Sequence, residues 1–333
     1  MNTNIIRIEN PEEKMGRICR VQKNSYTIRF QEQELPAKLK GSFYGEDPEH
    51  LPVVGDYVTF QYNRCGDSII LSVCERTGLL QRPDQAKTGV MQYMAANVDY
   101  AFIVTSLNDD YNYNRIARYA SVALQAGAVP VVILTKSDLC SNVGRYVREV
   151  ETVSEKVKVH AISALYDIGL DELKEYFSPG KTICLLGSSG AGKSTLINAI
   201  TGKETMKTGK IREDDSKGRH TTTHREMIFL ENDVSVIDMP GMREIGMANT
   251  REGIEDTFSD IGRLESLCRF RDCRHETEPG CAVRAALESG ELSRQRYELY
   301  QSLGAENQRN YAKKKEISKW VKSYKKMNKT GKQ

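Results

Sequence analysis

The stretch GSSGAGKST occupies residues 187–195, directly after the apolar run TICLL, and it leads into the segment TLINAITG. It has the form G-x-x-x-x-G-K-[ST] between a run typical of a strand and a segment typical of a helix, which is the context that a phosphate-binding loop requires. Strands and helices that alternate in this way pack as a mostly parallel sheet covered by helices. The stretch therefore predicts an α/β nucleotide-binding domain.

The residues of this loop have separate expected roles. The glycines allow backbone N–H groups to surround a β-phosphate, Lys193 is expected to contact the β- and γ-phosphate oxygens, and the hydroxyl of Ser194 is expected to bind Mg²⁺. The predicted nucleotide-binding residues of the loop are Gly187, Ser188, Ser189, Gly190, Ala191, Gly192, Lys193, Ser194 and Thr195.

Two further segments downstream are expected to respond to the γ-phosphate. VSVIDMPG places Asp238 at a strand end, where its carboxylate is expected to hold Mg²⁺ through water, and Gly241 is expected to offer its N–H to the γ-phosphate. The charged, glycine-containing segment KGRHTTTHRE is expected to become ordered around that phosphate. We assign Thr222 as its Mg²⁺ ligand, and the pattern fits Thr221 and Thr223 equally.

A base-reading loop is predicted upstream, where TKSD at residues 135–138 ends the apolar run VPVVIL. Guanine carries hydrogen-bond donors at N1 and N2, whereas adenine has an acceptor at N1, so a fixed carboxylate at Asp138 selects guanine. Lys136 is expected to lie over the base, and Ser137 completes the loop. The usual tetrapeptide begins with Asn, and Thr135 can replace only part of the hydrogen bonding of that amide, which predicts weaker nucleotide binding.

The segment SAL at residues 163–165 follows the strand-like run VKVHAI. A backbone N–H of this segment, from Ser163 or Ala164, is expected to donate to O6 of guanine. The predicted order is therefore base-reading loop, SAL, phosphate loop, the segment KGRHTTTHRE and DMPG, so that the base-reading loop precedes the phosphate loop instead of following it as is usual in GTPases. Since all of these loops lie at one sheet edge, their order along the chain can change if the original ends are joined, as in a circular permutation.

Strand and helix patterns divide the chain into three predicted domains. Residues 1–77 carry five short strand-like runs (GRICRVQ, SYTIRFQ, LPAKLKG, DYVTFQY and SIILSVCER) that predict an OB-fold β-barrel, either RNA-binding or structural. Residues 78–247 alternate buried strands with helices, including a helix over 143–156 and a short helix DELKEYF, and form the permuted GTPase domain. Residues 248–333 are expected to be helical.

A metal site is predicted in the last domain. Cys268, Cys273, His275 and Cys281 provide three thiols and one imidazole within fourteen residues. Four such ligands close a tetrahedral Zn²⁺ shell, so the metal is expected to be structural and to contribute much of this domain's stability. Unpaired cysteines without a metal are the alternative. Disulfides are disfavoured if the chain is cytoplasmic.

Composition and charge suggest where the chain works. With 39% hydrophobic and 28% charged residues and no apolar segment long enough for a bilayer, the 333-residue chain is predicted to be cytoplasmic, without a membrane partner. The net charge is only +3, but the tail KKKEISKWVKSYKKMNKTGKQ is strongly basic and suits a polyanion such as RNA.

These motifs in this order resemble the YjeQ/RsgA family, the ribosome small subunit-dependent GTPase A. PVVGDYV, TKSD, GSSGAGKST, GRHTTT, DMPG and the metal cluster carry the resemblance over nearly the whole chain. It implies an OB-fold, a permuted GTPase domain and a zinc-bearing C-terminal domain. It also implies GTP hydrolysis that the small ribosomal subunit and its rRNA stimulate, with GTP and GDP as ligands and a role late in subunit assembly. A monomer is the simplest state for such a factor.

The expected catalytic residue is His220. Many GTPases have Gln after the D-x-x-G glycine to orient the attacking water, but this chain has Met242 there, so hydrolysis is expected to be slow without a partner. His220 in GRHTTT is the best polar candidate, and the resemblance implies the same role; His224 is weaker. An exposed loop histidine without a role is the alternative. Two other functions remain: a P-loop kinase, and an rRNA-binding module in which GTP only orders the chain.

Overall fold

The computed structural model describes residues 13–22, 25–84, 90–108, 110–203, 206, 225–239 and 245–330. A closed barrel comes first. Its strands are Glu13–Gln22 (β1), Ser25–Phe30 (β2), Gln33–Leu39 (β3), Tyr57–Gln61 (β4) and Ser68–Val73 (β5). They pair in the order β1-β2-β3-β5-β4, and pairing of β1 with β4 closes the barrel around buried residues such as Ile28 and Phe60. The predicted five-stranded barrel is confirmed.

The α/β part follows, with its elements in the predicted alternation. Its elements are Leu79–Pro83 (β6), Met91–Ala96 (β7), Tyr100–Ser106 (β8), Tyr113–Gln125 (α1), Val129–Thr135 (β9), Val143–Glu151 (α2), Lys158–Ala161 (β10), Thr182–Leu186 (β11), Lys193–Thr201 (α3), Arg225–Phe229 (β12) and Ser235–Asp238 (β13). Parallel strands lie in the order β10-β9-β8-β11-β13, and β12 is antiparallel to β13.

Both faces of the central strands β8, β9 and β11 are buried, which is why these strands are apolar at most positions. Along β8, Ala101 and Ile103 pack on the face that α1 covers, whereas Phe102 and Val104 pack on the face that α3 covers. Successive side chains of a strand point to opposite faces, so each strand contributes to two cores. This is a doubly wound sheet.

Three features differ from the sequence predictions or were absent from them. The segment DELKEYF forms a 3₁₀-helix, Asp171–Tyr176, because buried Leu170, Leu173 and Tyr176 recur every three residues, the period of that helix. Helix α2 ends at Glu151 rather than near residue 156, since its chain tightens to bring Val153 into the core. The paired strands β6 and β7 were not predicted.

The barrel and the α/β sheet share one ladder. Strand β1 pairs antiparallel with β12, with Arg20 opposite Glu226 and Val21 opposite Arg225. The side chains of Arg20 and Glu226 form an ion pair across the seam. Over the described residues the two parts therefore form one sheet of eleven strands, a continuity that the sequence pattern does not indicate.

Four helices complete the described chain: Arg251–Thr257 (α4), Ser259–Ser266 (α5), Ala282–Ser289 (α6) and Arg294–Thr330 (α7). The side-chain hydroxyl of Ser293 caps the start of α7, as its position before that helix predicts. Of the helices that the structure describes, none has the length and apolarity needed to cross a bilayer.

Arg296 anchors α7 to the α/β part. Its guanidinium binds Asp260 through two hydrogen bonds of 2.7 Å and also donates to Tyr113 Oη and to the carbonyls of Val153 and Thr257. Burial acts to raise the pKa of Asp260, but the hydrogen bonds and charge of Arg296 outweigh it, and the net pKa is lowered.

Substituting Arg296→Met is expected to lower the free energy of unfolding by about 3 kcal/mol, because a buried partner of Asp260 and of two carbonyls is lost. The loss is at the low end for buried pairs since the Asp260 side chain is 38% exposed. Urea unfolding measures it, with Arg251→Met, at an 84% exposed side chain, as the near-neutral control. Because the pKa of Asp260 is lower in the folded than in the unfolded protein, its ion pair stabilises the fold above the unfolded pKa. The difference in unfolding free energy between parent and variant must therefore shrink as the pH falls through the pKa of Asp260 in the folded protein. A difference that does not depend on pH would contradict this account.

Candidate nucleotide site and metal-binding cluster

The predicted nucleotide loops meet at one edge of the sheet. TKSD follows β9, SAL follows β10, the phosphate loop follows β11, and Asp238 ends β13. Because the carboxyl ends of parallel strands lie on the same side, these four segments lie at the same edge of the sheet, which is the usual ligand position in open α/β sheets.

The phosphate loop has the backbone that its glycines predict. Gly187, Gly190 and Gly192 have φ values of 142°, 82° and 97°, and Gly192 precedes the first residue of α3. A Cβ atom on Gly187 would lie 2.2 Å from the carbonyl oxygen of Val104, so only glycine fits there. Of the other predicted residues, Ser188, Ala191, Lys193 and Ser194 are buried, and Ser189 and Thr195 are exposed.

Lys193 lies inside the curve of this loop. Its side chain is buried, and Nζ donates to the carbonyl oxygens of Gly187, at 2.9 Å, and Ser188, at 2.6 Å. The ammonium group is therefore already held at the centre of the loop, where incoming phosphate oxygens would meet it.

Thr135 joins the base-reading loop to the phosphate loop. Its hydroxyl Oγ1 donates to the carbonyl oxygen of Ala191 at 2.7 Å and lies 3.4 Å from the carbonyl oxygen of Thr105. A Cβ atom on Gly192 would be in van der Waals contact with the same hydroxyl, at 3.5 Å. Two stretches that lie more than fifty residues apart, in reversed order, thus form one site.

The rest of the base-reading loop is shaped by Lys136. This residue has φ 57° and ψ 41°, a left-handed conformation that costs a non-glycine residue about 1 kcal/mol and is frequent at functional sites. Ser137 then donates its N–H to the carbonyl of Ile162, at 3.0 Å, which ties the loop to the end of β10. The carboxylate of Asp138 follows on the exposed side.

The SAL segment narrows the choice of a donor for the base. Ser163 and Ile168 exchange two backbone hydrogen bonds of 3.0 Å, so the N–H of Ser163 already has an acceptor. Ala164 is half-buried next to it and Leu165 is exposed. Of the two residues predicted from the sequence, Ala164 is better placed to present its N–H to a ligand.

Some predicted site residues cannot be placed in this way. His220, Thr222 and Gly241 lie outside the described residues. Thr221, Thr223, His224 and Met242 lie outside them too. Asp238, by contrast, is described: it ends β13 half-buried, beside Leu185 of β11 and opposite Glu226 of β12.

The four predicted metal ligands come together at the start of α6. The ligand atoms of Cys268, Cys273, His275 and Cys281 all lie within 4.8 Å of one another. Cys268 Sγ is 3.9 Å from Cys281 Sγ and 3.6 Å from His275 Nδ1. Metal–ligand lengths of about 2.3 Å for sulfur and 2.0 Å for nitrogen give tetrahedral edges of about 3.5–3.8 Å, so the cluster fits a tetrahedral ion.

Neighbouring groups orient these ligands. Nδ1 of His275 faces the thiols while Nε2 lies 3.5 Å from a carboxylate oxygen of Glu265, which also accepts from Tyr300 Oη. Such a carboxylate–histidine pair fixes the ring and its tautomer in metal sites. Desolvation acts to raise the pKa of the Cys268 thiol, but hydrogen bonds from the backbone N–H groups of Val283 and Ala282 outweigh it, and the net pKa is lowered. The thiolate of Cys268 is thus more stable there than that of a free cysteine.

Two residues at these sites were not found from the sequence. Asp110, after β8, accepts a hydrogen bond from Ser188 of the phosphate loop, and Glu265 faces His275. Neither belongs to a motif. The only sequence signal for Asp110 is its position in the polar run that follows a strand whose neighbours, β9 and β11, carry the predicted loops.

Comparison with known proteins agrees with this geometry. The RsgA GTPase profile matches residues 73–248, more than half of the chain. An ABC transporter profile matches residues 170–328, less than half, over a range that includes the phosphate loop common to P-loop proteins. Small ribosomal subunit biogenesis GTPase RsgA 2 of Listeria monocytogenes is 47% identical over 292 residues, 87% of this chain and 83% of that protein. Small ribosomal subunit biogenesis GTPase RsgA of Methanosarcina acetivorans is 44% identical over 253 residues, 76% and 69% of the two chains.

Two solved structures are similar as well. YjeQ from Thermotoga maritima superposes with a TM-score of 0.64 at 28% identity, over 87% of this chain and 97% of that one. YloQ, described as a circularly permuted GTPase, has a TM-score of 0.60 at 24% identity, over 89% and 95%, and supports the fold. The resemblance inferred from the motifs is confirmed, and the chain belongs to the RsgA GTPase family.

Proposed function

We propose that this GTPase binds GTP at the described sheet edge and hydrolyses it to GDP and phosphate during late maturation of the small ribosomal subunit. The observation that carries the proposal is the hydrogen bond from Thr135 Oγ1 to the Ala191 carbonyl, which makes one site of the base-reading and phosphate loops. The names of the relatives support the link to the small subunit.

In the proposed complex the base is read by three groups. The carboxylate of Asp138 accepts from N1 and N2 of guanine, Lys136 covers one face of the base, and the N–H of Ala164 donates to O6. The phosphate loop, residues 187–195, surrounds the β-phosphate, and Lys193 exchanges its loop carbonyls for phosphate oxygens. The amide of Gly241 is the proposed donor to the γ-phosphate.

Mg²⁺ is the proposed companion of GTP, and it would neutralise charge on the phosphate oxygens. Ser194, Thr222 and Asp238 are the residues proposed to hold it. The buried start of α3 places Ser194 next to Lys193, and the end of β13 places Asp238 at the same sheet edge. A hydroxyl at the helix start with a carboxylate from a neighbouring strand is the oxygen donor set that Mg²⁺ prefers.

His220 is the proposed group that orients the attacking water. Since Met242 has no hydrogen-bonding group for that role, the isolated protein is expected to turn over slowly. Docking on rRNA would bring His220 to the water and so produce the stimulated rate.

The remaining surfaces fit an rRNA partner. Arg269, Arg271 and Arg274 are all exposed beside the metal cluster, and α7 carries the basic tail sequence. We propose that these surfaces and the barrel contact rRNA, that the cluster holds structural Zn²⁺, and that the protein acts in the cytoplasm as a monomer. The proposed domains are residues 1–77, 78–247 and 248–333. Lys/Arg groups would bind phosphates with a strong salt dependence.

Turnover of GTP and of ATP, with and without purified small subunits, tests this function. GTP, but not ATP, is expected to be hydrolysed, and the rate of GTP hydrolysis is expected to rise when subunits are added. ATP turnover or transfer of the γ-phosphate to an acceptor would point to a kinase, and nucleotide binding without any turnover would point to an rRNA-binding module.

The variant His220→Ala is expected to lose the subunit-stimulated rate by about a hundredfold or more, the usual contribution of a positioned acid–base group, while GTP binding is retained. Single-turnover hydrolysis on saturating subunits measures the loss, and His224→Ala is the matched control. Full stimulation of His220→Ala would show that another group orients the water.

A further inference from the structure

We propose that Asp110 is a positioning residue that holds the phosphate loop in the shape that receives phosphates. The inference rests on the proposed function only in taking residues 187–195 as the phosphate loop. Asp110 lies in the loop between β8 and α1, outside every motif discussed above.

The loop that carries Asp110 lies between the two nucleotide-binding segments. Strand β8 is the neighbour of both β9 and β11, so the chain leaving it passes between TKSD and the phosphate loop. Leu107 donates its N–H to the carbonyl of Thr135 at 2.9 Å. On the other side, Asp110 reaches the phosphate loop itself.

The carboxylate of Asp110 is fixed at both oxygens. Oδ2 accepts from the hydroxyl of Ser188 at 2.6 Å, and Oδ1 pairs with Nη2 of Arg115 at 2.9 Å. The backbone is held as well, because the N–H of Asp110 donates to Asn108 Oδ1 at 3.1 Å and its carbonyl accepts from Thr105 Oγ1 and from Arg115. A short, charge-assisted bond from so rigid an acceptor fixes Ser188.

Ser188 is thereby held from two sides. Its side chain binds Asp110 and its carbonyl oxygen binds Lys193 Nζ. When Lys193 turns to phosphate oxygens, the second bond is given up and the bond to Asp110 remains. Asp110 then keeps the first half of the loop in place, with its N–H groups directed at the phosphates. Because the loop is already ordered, binding does not cost further conformational entropy there.

Two observations separate this role from ordinary loop structure. Helix α1 has its own cap, since Asn112 Oδ1 accepts from the N–H of Arg115 at 2.9 Å, so Asp110 is not needed to start the helix. The ion pair with Arg115 also compensates the negative charge of Asp110. Without it, this carboxylate beside the phosphate loop would repel a bound phosphate.

Titration of GDP and GTP into four variants tests the proposal: Asp110→Ala, Asp110→Asn, Ser188→Ala and the double variant Asp110→Ala/Ser188→Ala. Asp110→Ala and Ser188→Ala are each expected to weaken both nucleotides about tenfold, by the loss of one hydrogen bond to a charged group. KM for GTP rises accordingly, and by more than the turnover number falls. Asp110→Asn keeps an acceptor of the same size and is expected to recover part of the affinity.

The double variant decides whether the two residues act through each other. It is expected to bind no more weakly than either single variant, because one bond is lost in all three. Asp256→Ala removes a carboxylate paired with Lys156 away from the site and is the control, expected to bind as the parent does.

Unchanged affinity in Ser188→Ala, which removes only a hydroxyl, would overturn the proposal even if Asp110→Ala failed to fold. Losses that multiply in the double variant would overturn it as well. The nucleotide titrations contain no ribosomal subunits, so their outcome does not depend on the proposed ribosomal role. If that role were wrong, the GTP hydrolysis rate of the parent protein would not rise when subunits are added.

Discussion

Replacing Asp138 with Asn is expected to exchange the base preference of the site from guanine to xanthine. Guanine presents N1–H and an N2 amino group, and both donors need the carboxylate. Xanthine has a carbonyl in place of that amino group, so an amide can accept from N1–H and donate to the carbonyl. A donor facing a donor leaves polar groups unpaired, which is the strongest source of discrimination between similar ligands.

The change is expected to weaken GDP binding about a hundredfold or more and to strengthen xanthosine diphosphate binding by a similar factor. Deeply buried sites discriminate by about 10⁴, but Asp138 is exposed, so water lessens the effect. Competition of both nucleotides against a fluorescent analogue measures it. Asp171→Asn, at another exposed carboxylate, serves as the control. Retention of parental GDP affinity by Asp138→Asn would mean that another group reads the base.

Removing the proposed zinc ion is expected to have the second large effect, and this effect should be confined to the C-terminal region. Apparent binding energies of structural zinc are about 10–16 kcal/mol in small domains that fold with the metal. Here the cluster lies between α5 and α6, while the nucleotide loops belong to β9, β10 and β11. Chelation should therefore loosen the helices around the cluster and leave GTP binding intact.

Cys273→Ser tests this in the full chain, because it removes one of four ligands from an exposed loop. Metal content by emission spectroscopy should fall from one zinc per chain to well below one, and hydrogen exchange should rise over residues 259–289. Cys65→Ser, at an exposed free thiol in the barrel, should change neither. A full complement of zinc in Cys273→Ser, or loss of GTP binding after chelation, would contradict the proposed separation.

The parts of the fold that repeat a local period could be predicted from the sequence. The five barrel strands and the strands on either side of α1 could be predicted because their apolar residues follow a local pattern that is typical of strands. The four candidate metal ligands could be identified for a similar reason, since they lie within fourteen residues and their chemistry allows few partners.

The features that could not be predicted depend on contacts between residues that are far apart in the sequence. The ladder between β1 and β12 joins residues about two hundred positions apart, and nothing in either strand identifies its partner. Asp110 is one acid in a polar run, and only the neighbouring position of β8 and β11 brings it to Ser188. Weaker nucleotide binding caused by Thr135 stays a prediction, but the hydrogen bond from its hydroxyl to the Ala191 carbonyl, which joins the two loops, was not foreseen from the sequence.

The β1–β12 ladder has a mechanical consequence. Arg225, the first residue of β12, comes directly after the GRHTTTH stretch in the sequence. Arg225 is itself opposite Val21 of the barrel strand β1, so no residue separates that stretch from the ladder. If the barrel moves when the proposed rRNA partner docks, the backbone hydrogen bonds of this ladder would transmit the displacement to Arg225, the residue that follows the stretch containing His220.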